Sequence, residues 1–192
     1  VVIIDGQKPG DIHYVDVNGD KAITADDRVI MGNSEPKFNY FANITARWKG
    51  IDLEILFQGV RGVEAYYGGN FAVPLRLDGN STTPQEFHLD YWTPENPGAF
   101  FPRLTPTPGN NSLSSDYWKF DASYCRVKYI QLGYTFKQDW TRKFFVNNLR
   151  LFVNFQNPFT LSAESRVDPE GRGGHTTYPM VKTYSAGLNI TF

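Results

Sequence analysis

Residues 38–59 read FNYFANITARWKGIDLEILFQG, and this stretch decides the fold class. Over 38–48 and again over 51–58, apolar side chains recur at nearly every second position. This period predicts two β-strands, each with two faces in different surroundings. Lys49 and Gly50 lie between the two strands and predict a short turn.

Three later stretches show the same alternation, namely 129–136, 149–156 and 183–192. Helical periodicity is nearly absent. The apolar run 51–57 contains two carboxylates and is much shorter than the roughly 18 residues that a membrane helix needs. We therefore predict an all-β chain.

The connections between the predicted strands alternate in length. Two residues follow the first strand and roughly a dozen follow the third, whereas about sixty follow the second and about twenty follow the fourth. This alternation is typical of an outer-membrane barrel with short periplasmic turns and long extracellular loops, here 61–122 and 159–178. Because an odd number of strands does not close a bacterial barrel of this type, the predicted strands are expected to be part of a larger wall.

Alternate residues of such a wall face lipid and lumen. The parity assigns Ile44, Leu53, Leu132, Leu151 and Ile190 to lipid, and Asn43, Asp52, Gln131, Asn154 and Asn189 to the lumen. It also places Trp48, Phe136 and Phe192 at the periplasmic ends of lipid-facing rows, and Phe38, Tyr40 and Phe57 at the outer ends. The third strand is irregular, because Tyr124, Arg126 and Lys128 continue its lipid-facing parity. Either that part projects above the bilayer or a bulge shifts the register.

A secreted, calcium-stabilised β-sandwich that binds or hydrolyses carbohydrate is the alternative, since alternation also occurs in sandwiches. The composition adds little support for other classes. The 192 residues carry 19 basic and 20 acidic side chains, and a formal net charge of -1 gives no reason to expect nucleic acid. One cysteine, Cys125, excludes an internal disulfide, and no nucleotide-binding or catalytic-serine motif is present. We therefore do not predict an enzyme.

Residues 16–27 have the ligand spacing of an EF-hand-like loop. Positions one, three, five, seven, nine and twelve are Asp16, Asn18, Asp20, Ala22, Thr24 and Asp27. Lys21 departs from the pattern, because the sharp turn there prefers Gly, and Asp27 replaces the usual bidentate Glu. We expect Ca²⁺ at this loop, with a solvated, metal-free turn as the alternative.

The predicted long loop 61–122 is rich in aromatic residues: Tyr66, Tyr67, Tyr91, Trp92, Phe100, Phe101, Tyr117 and Trp118. Exposed rings in such a loop stack on sugars or hold a partner protein. Packing of the loop against itself is an equally good explanation.

Several stretches, in this order, resemble the SusC/RagA family of TonB-linked outer-membrane transporters: Gly32-Asn33, Pro36-Lys37-Phe38, Phe57-Gln58-Gly59, Trp92-Thr93-Pro94-Glu95-Asn96-Pro97, Pro102-Arg103-Leu104 and Leu132-Gly133-Tyr134. The sequences Asp16-Val17-Asn18-Gly19-Asp20, Gln156-Asn157-Pro158-Phe159 and Asp168-Pro169-Glu170 add to the resemblance. It spans nearly the whole chain and matches the C-terminal part of these proteins. Ser185, Gly187, Ile190 and Phe192 also resemble the terminal signal that barrel-assembly machinery recognises.

The resemblance implies a 22-stranded barrel in the bacterial outer membrane that imports oligosaccharides or oligopeptides. Residues 1–37 would then form an extracellular segment and residues 38–192 the C-terminal barrel strands with their loops, while the N-terminal plug and most strands are absent from this chain. The implied partners are a SusD-like surface lipoprotein acting as a lid over 61–122 and 159–178, the remaining barrel and plug, outer-membrane lipid, and TonB through the absent N-terminal region.

Overall fold

A computed structural model describes residues 4, 6–75, 83–107, 109–171 and 180–192. The strands in these ranges are β1 (Phe38–Trp48), β2 (Ile51–Arg61), β3 (Glu64–Tyr66), β4 (Lys119–Asp121), β5 (Tyr124–Thr135), β6 (Asn148–Ser162) and β7 (Thr183–Thr191). Helix α1 covers Gln138–Thr141, and short 3-10 helices cover Ala25–Asp27, Glu86–Leu89, Gly109–Ser112, Asp116–Trp118, Arg142–Phe144 and Pro169–Gly171. None of the described helices is both long and apolar enough to cross a membrane.

The long strands form one antiparallel sheet in the order β1-β2-β5-β6-β7. Each strand therefore pairs with the next long strand along the chain. Lys49 and Gly50 have φ values of 49° and 91°, which is the positive-φ pair that a tight two-residue hairpin turn requires. The all-β prediction and the predicted turn are confirmed, and β2, β5 and β6 run further than the alternation indicated.

A bulge resolves the irregular third strand. In both pairings of β5 the register passes from Val127 to Tyr129, so Lys128 is the extra residue of the bulge. On β6 the register skips Asn157 and Pro158, where Asn157 has a φ of 49° and proline has no N–H to donate to the ladder. The extra residue moves the outer part of β5 to the opposite parity, so the bulge alternative is the correct one.

The five-stranded sheet belongs to a compact unit made of the described residues in 35–63, 122–165 and 180–192. In this unit the described strands form one sheet and not two facing sheets. A β-sandwich needs two sheets that bury their apolar faces against each other. The sandwich alternative is therefore wrong.

A second compact unit contains the described residues in 1–34, 64–121 and 166–171. Strands β3 and β4 pair in it as a small antiparallel sheet, and its centre is an aromatic core. Phe71, Phe101 and Trp118 are at most 2% exposed, and the ring of Tyr67 stacks on Phe71 at 4.2 Å. The N-terminal segment and the long loop thus fold together in one unit. The sequence-based prediction instead assigns 1–37 to one part and the long loop, within 38–192, to the other.

Candidate functional site

The two faces of the five-stranded sheet differ in chemistry. Directly paired residues in neighbouring strands place their side chains on the same face. One row contains Ile44, Ile55, Ile130, Phe155 and Tyr184, and the next row contains Thr45, Glu54, Gln131, Asn154 and Ser185. The register therefore places the five residues predicted to face lipid on one face, and the five predicted to face the lumen on the other.

The apolar face is exposed. Ile44, Leu132 and Leu151 lie within β1, β5 and β6, yet their side chains are 52%, 45% and 44% exposed. Soluble proteins rarely leave a contiguous apolar surface of this kind open to water. Such a face requires an apolar environment.

An ion pair crosses the polar face above Gly133. The Arg150 guanidinium donates from Nε to Asp52 Oδ1 at 3.0 Å and from Nη2 to Asp52 Oδ2 at 2.5 Å. The pair joins β2 to β6 over the intervening β5. A Cβ at Gly133 would lie 2.5 Å from Arg150 Nη2 and 2.6 Å from Asp52 Oδ1. Gly133 is therefore the residue that allows this two-pronged contact.

Glu54 is the centre of a second polar contact on the same face. Asn43 donates from Nδ2 to Glu54 Oε1 at 3.1 Å, and the Tyr129 hydroxyl donates to the same carboxylate. These contacts again join three neighbouring strands, β1, β2 and β5. Charged and amide groups bridged in this way give a hydrophilic wall that does not need an apolar cover.

Two further glycines of the quoted motifs lie beneath aromatic rings. The ring of Tyr40 lies over Gly59, its paired residue, where a Cβ would come within 2.4 Å of that ring, and the Tyr40 hydroxyl donates to the Tyr124 carbonyl at 3.1 Å. Phe152 covers Gly187 in the same way, since a Cβ at Gly187 would lie 2.5 Å from its ring. Aromatic cover of a strand glycine replaces the packing that a side chain would supply.

Aromatic side chains lie at both ends of the strands. At the end that carries the β1–β2 turn, Trp48 and Phe192 are 67% and 81% exposed, and at the opposite end Phe38 is 66% exposed. The sequence prediction missed Trp140, Phe144 and Phe145, since it treated their segment only as a connection. The signal was present as three rings within six residues.

The loop at 16–27 is held by backbone donors to its carboxylates. Asp16 accepts from the N–H groups of Gly19 and Lys21 at 2.7 and 2.8 Å, and Asp20 accepts from Ala22 N–H at 2.8 Å. Lys21 has a φ of 68°, so the sharp turn predicted at this non-glycine position is present. The backbone therefore makes at Lys21 the sharp turn that an EF-hand-like loop has at its sixth position.

Asp27 closes the same loop. Its carboxylate accepts from the N–H groups of Thr24 and Val17, and these hydrogen bonds hold the pKa of Asp27 below its usual value. Thr24 precedes the 3-10 helix Ala25–Asp27 and forms a capping box with Asp27, the third residue of that helix. In the described part of the chain, no three His, Cys, Asp or Glu side chains converge closely enough to hold a metal ion.

The four residues that resemble an assembly signal lie in or directly after β7. Ser185 and Gly187 pair with β6 residues, Ile190 lies on the apolar face, and Phe192 follows the strand. The strand therefore presents an apolar residue near its end and a free aromatic ring beyond it.

Three of the aromatic rings that the sequence highlights in the long loop lie in the buried core of its own unit. Tyr67, Phe101 and Trp118 are buried, whereas Tyr66 and Tyr117 are 36% and 38% exposed. Tyr91, Trp92 and Phe100 are half-buried. Self-packing therefore explains the three buried rings, and the exposed and half-buried rings keep surface for a partner or a ligand. The part of the other long loop at 172–178 lies outside the described residues.

A polar clamp fixes the N-terminal segment on this aromatic core. Asn111 accepts from Ile12 N–H at 2.8 Å through Oδ1 and donates through Nδ2 to Asp11 Oδ1 at 2.8 Å. Arg103 Nε lies 2.6 Å from the same Asp11 oxygen. Burial alone would raise the pKa of Asp11, but the hydrogen bonds from Arg103, Lys8 N–H and Asn111 outweigh burial and lower it.

No family model matches the chain. Among curated proteins, the TonB-dependent receptor P26 of Formosa agariphila is 31% identical over 211 aligned positions, which cover 98% of this chain and 20% of that receptor. The TonB-dependent receptor SusC of Bacteroides thetaiotaomicron is 27% identical and is matched over 96% of this chain and 18% of its own length. The chain thus spans about a fifth of the length of these relatives.

Among solved structures, the RagAB peptide importer in its open-open state superposes with a TM-score of 0.68 at 22% identity, over 90% of this chain and 19% of the other. Its closed-closed state gives the same TM-score over 93% of this chain. This likeness shows a shared fold. It agrees with the single antiparallel sheet and its two different faces.

Proposed function

Since the chain is a C-terminal part of a SusC/RagA-like TonB-dependent receptor of the bacterial outer membrane, we propose that its sheet is a section of the barrel wall through which a nutrient is imported. The receptor is a transporter and not an enzyme. The observation that carries the proposal is the sheet itself, with an exposed apolar face and a hydrogen-bonded polar face. A transmembrane barrel has this arrangement, because lipid covers one face and water the other.

The apolar face meets lipid and the polar face lines the lumen. Cysteine labelling of the full receptor in intact membranes tests this, in a background where Cys125 is replaced by Ala. Cysteine at Asn43 should react with a water-soluble maleimide, and cysteine at Ile44 should not, because lipid shields it from the reagent. The two residues are adjacent on β1, so their difference reports facing and not depth. Equal reaction of both would defeat the assignment.

The nutrient is an oligosaccharide or an oligopeptide, drawn through the lumen with energy supplied through TonB and the rest of the receptor. The name of one structural relative, the RagAB peptide importer, supports an oligopeptide, whereas the oligosaccharide is what the SusC/RagA resemblance of the sequence implies. Growth of a receptor-deletion strain on single oligosaccharides or oligopeptides, with and without the full receptor restored, separates them. Growth that never depends on the receptor would overturn the import proposal.

A SusD-like lipoprotein covers the extracellular side. The support is the unit built on the long loop, where Leu89 and Leu113 are 74% and 42% exposed. A lid that closes repeatedly over a pore needs an interface well above about 1,000 Å². Affinity purification of the full receptor after gentle detergent extraction should recover a stoichiometric lipoprotein, and its reproducible absence would remove the lid while leaving the barrel.

The loop at 16–27 binds Ca²⁺ through Asp16, Asn18, Asp20, Ala22, Thr24 and Asp27. The wound loop and the positive φ of Lys21 support this, since each bonded carboxylate oxygen keeps a second lone pair for an ion. Terbium luminescence of the full receptor is the test, with Asp20→Asn as the ligand variant and Asp26→Asn as the matched control. Loss of the signal in both variants, or in neither, would favour the metal-free turn.

Ser185, Gly187, Ile190 and Phe192 form the assembly signal. The exposed ring of Phe192 and the apolar Ile190 support it, because a recognition element must be accessible before the barrel closes. Cells that produce the full receptor with Phe192→Ala should accumulate less folded protein than cells with Thr191→Ala. Equal amounts would show that the terminal ring is not read.

A further inference from the structure

The connection between β5 and β6 is more structured than a turn needs. It contains α1 and the 3-10 helix Arg142–Phe144, and this helix is followed by Phe145 in the left-handed region at a φ of 57°. Thr141, at its centre, is 1% exposed and donates to the Gln138 carbonyl, and Val146 N–H donates back to the Thr141 carbonyl at 3.2 Å. The segment is therefore a small folded cap.

A line of stacked rings continues the apolar face of the sheet into this cap. Tyr134 and Phe136 extend the parity of Leu132, and their ring centroids are 4.9 Å apart. Phe136 stacks on Trp140 at 5.2 Å, and Trp140 meets Phe144 at 5.7 Å. We call Tyr134, Phe136, Trp140 and Phe144 the ring ladder. The ladder carries the lipid-facing surface beyond the end of the strand.

The ladder is exposed where it leaves the strand. Trp140 and Phe144 are 48% and 64% exposed, and Phe145 beside them is 89% exposed. The cap lies at the same end of the strands as the β1–β2 turn, since Thr135 N–H donates to the Gly50 carbonyl at 2.7 Å. Short connections of such a barrel lie on the periplasmic side, so these rings are at the level of the membrane–water interface.

Three cations flank the exposed rings. Lys137, Arg142 and Lys143 are all exposed, with Asp139 as the one carboxylate between residues 137 and 145. In the described part of the chain none of these cations has an ion-pair partner. Rings at interface depth together with unpaired cations are complementary to a phosphate group that lies just above acyl chains.

We propose that the cap, residues 136–147, is an anchor that binds the headgroup of an anionic phospholipid, with the ring ladder at the acyl boundary and Arg142 and Lys143 on the phosphate. The proposal rests on the proposed function, because it requires the sheet to stand in a bilayer. A fully apolar partner would leave the cations unpaired, and an aqueous surface would leave the rings uncovered.

The test uses the full receptor in lipid nanodiscs, with native mass spectrometry of the lipids that stay bound after release. The wild type should retain phosphatidylglycerol in preference to phosphatidylcholine. A juxtamembrane cation contributes about five-fold to binding of anionic lipid, so Arg142→Gln with Lys143→Gln should reduce this preference by about thirty-fold at low salt. Lys8→Gln with Arg28→Gln removes the same charge from the other compact unit and should leave the preference unchanged.

A photo-crosslinking arm separates failure of the anchor from failure of the barrel. A benzophenone side chain is placed at Phe145 in one receptor and at Ile44 in another. Lipid adducts at both positions, with the charge-dependent preference, support the anchor. Lipid adducts at Ile44 together with protein adducts at Phe145, or a preference unchanged by the double Gln variant, overturn the anchor and leave the wall intact. Failure of both positions to reach lipid overturns the proposed function as well.

Discussion

Asn111→Ala should release the N-terminal segment from the aromatic core of its unit. The substitution removes the acceptor of Ile12 N–H, whose residue is 7% exposed, and the donor to Asp11, both at 2.8 Å. An unsatisfied buried N–H costs about 1–3 kcal/mol, and a hydrogen bond to a charged group contributes about 1.5–3 kcal/mol. Asp11 keeps its contacts with the Arg103 guanidinium and the Lys8 N–H in this variant. We therefore expect the local stability of the N-terminal segment to fall by about 3 kcal/mol, near the lower end of the sum of the two terms.

Hydrogen–deuterium exchange on the purified full receptor measures this effect locally. A change of about 3 kcal/mol should make the Ile12 amide exchange about a hundred-fold faster, since each 1.4 kcal/mol is a factor of ten. Asn110→Ala is the matched control, because its side chain makes no hydrogen bond to the described residues and its carbonyl still accepts from Tyr14. That control should change stability by less than about 0.5 kcal/mol. Unchanged exchange of Ile12 in Asn111→Ala would refute the clamp.

Three single contacts give further predictions. Gly32→Ala should displace the Glu64 carboxylate from its 3.0 Å ion pair with Lys119, because the new Cβ would lie 1.3 Å from Glu64 Oε2. Since that carboxylate ends a flexible side chain, the expected loss of stability is at most about 1 kcal/mol, seen as up to about five-fold faster amide exchange in β3, whereas Gly68→Ala, with nothing within 4 Å, should leave the exchange unchanged. The pKa of Asp11 is lowered in the folded state, so its ionised carboxylate contributes its full stabilisation above the unfolded pKa of 3.8 and loses it as the pH falls through the folded pKa. Protection of the Ile12 amide from exchange should therefore drop in that acid range. The variant Asp11→Asn should show no such drop. Ile130→Arg, in the middle of β5 on the apolar face, should lower the free energy of unfolding by about 2–4 kcal/mol, and Ile190→Arg, on the same face but next to the end of β7, by about 0–1 kcal/mol. Equal losses in denaturant unfolding of the receptor in vesicles would contradict the depths assigned to the two residues.

The strands of the wall were predictable because their pattern is local. Within each strand, apolar and polar residues alternate because its two faces lie in different environments. Lys49 and Gly50 likewise indicate the tight turn from two adjacent residues alone. The bulge was predictable only as one of two alternatives. The sequence around Lys128 shows a break in parity, but the partner that accommodates it, at Asn157 and Pro158, is more than twenty-five residues away in the chain.

The folded unit around the long loop was not predictable in the same way. Its core joins rings from distant positions, such as Phe71 and Trp118, and its clamp joins Asp11 to Asn111 across 100 residues. No periodicity connects such positions, so a single sequence does not show which of the rings are buried. The loop at 16–27 is the exception, since the spacing within twelve residues places a sharp turn at Lys21, and Lys21 has a positive φ.

The glycines in the recognisable motifs explain why the sequence identifies the family better than the nutrient. Gly59 lies under Tyr40, Gly133 lies under the Asp52–Arg150 pair, and in each case a side chain from a neighbouring strand occupies the place of a Cβ. These are requirements of strands packed within a wall, and they hold for any molecule that passes through the lumen. Side chains on the exposed surface of the loop unit, such as Leu89 at 74% exposure, meet no such requirement. The motifs therefore report the architecture, and under the proposed import function the residues that select the nutrient are to be sought on this surface.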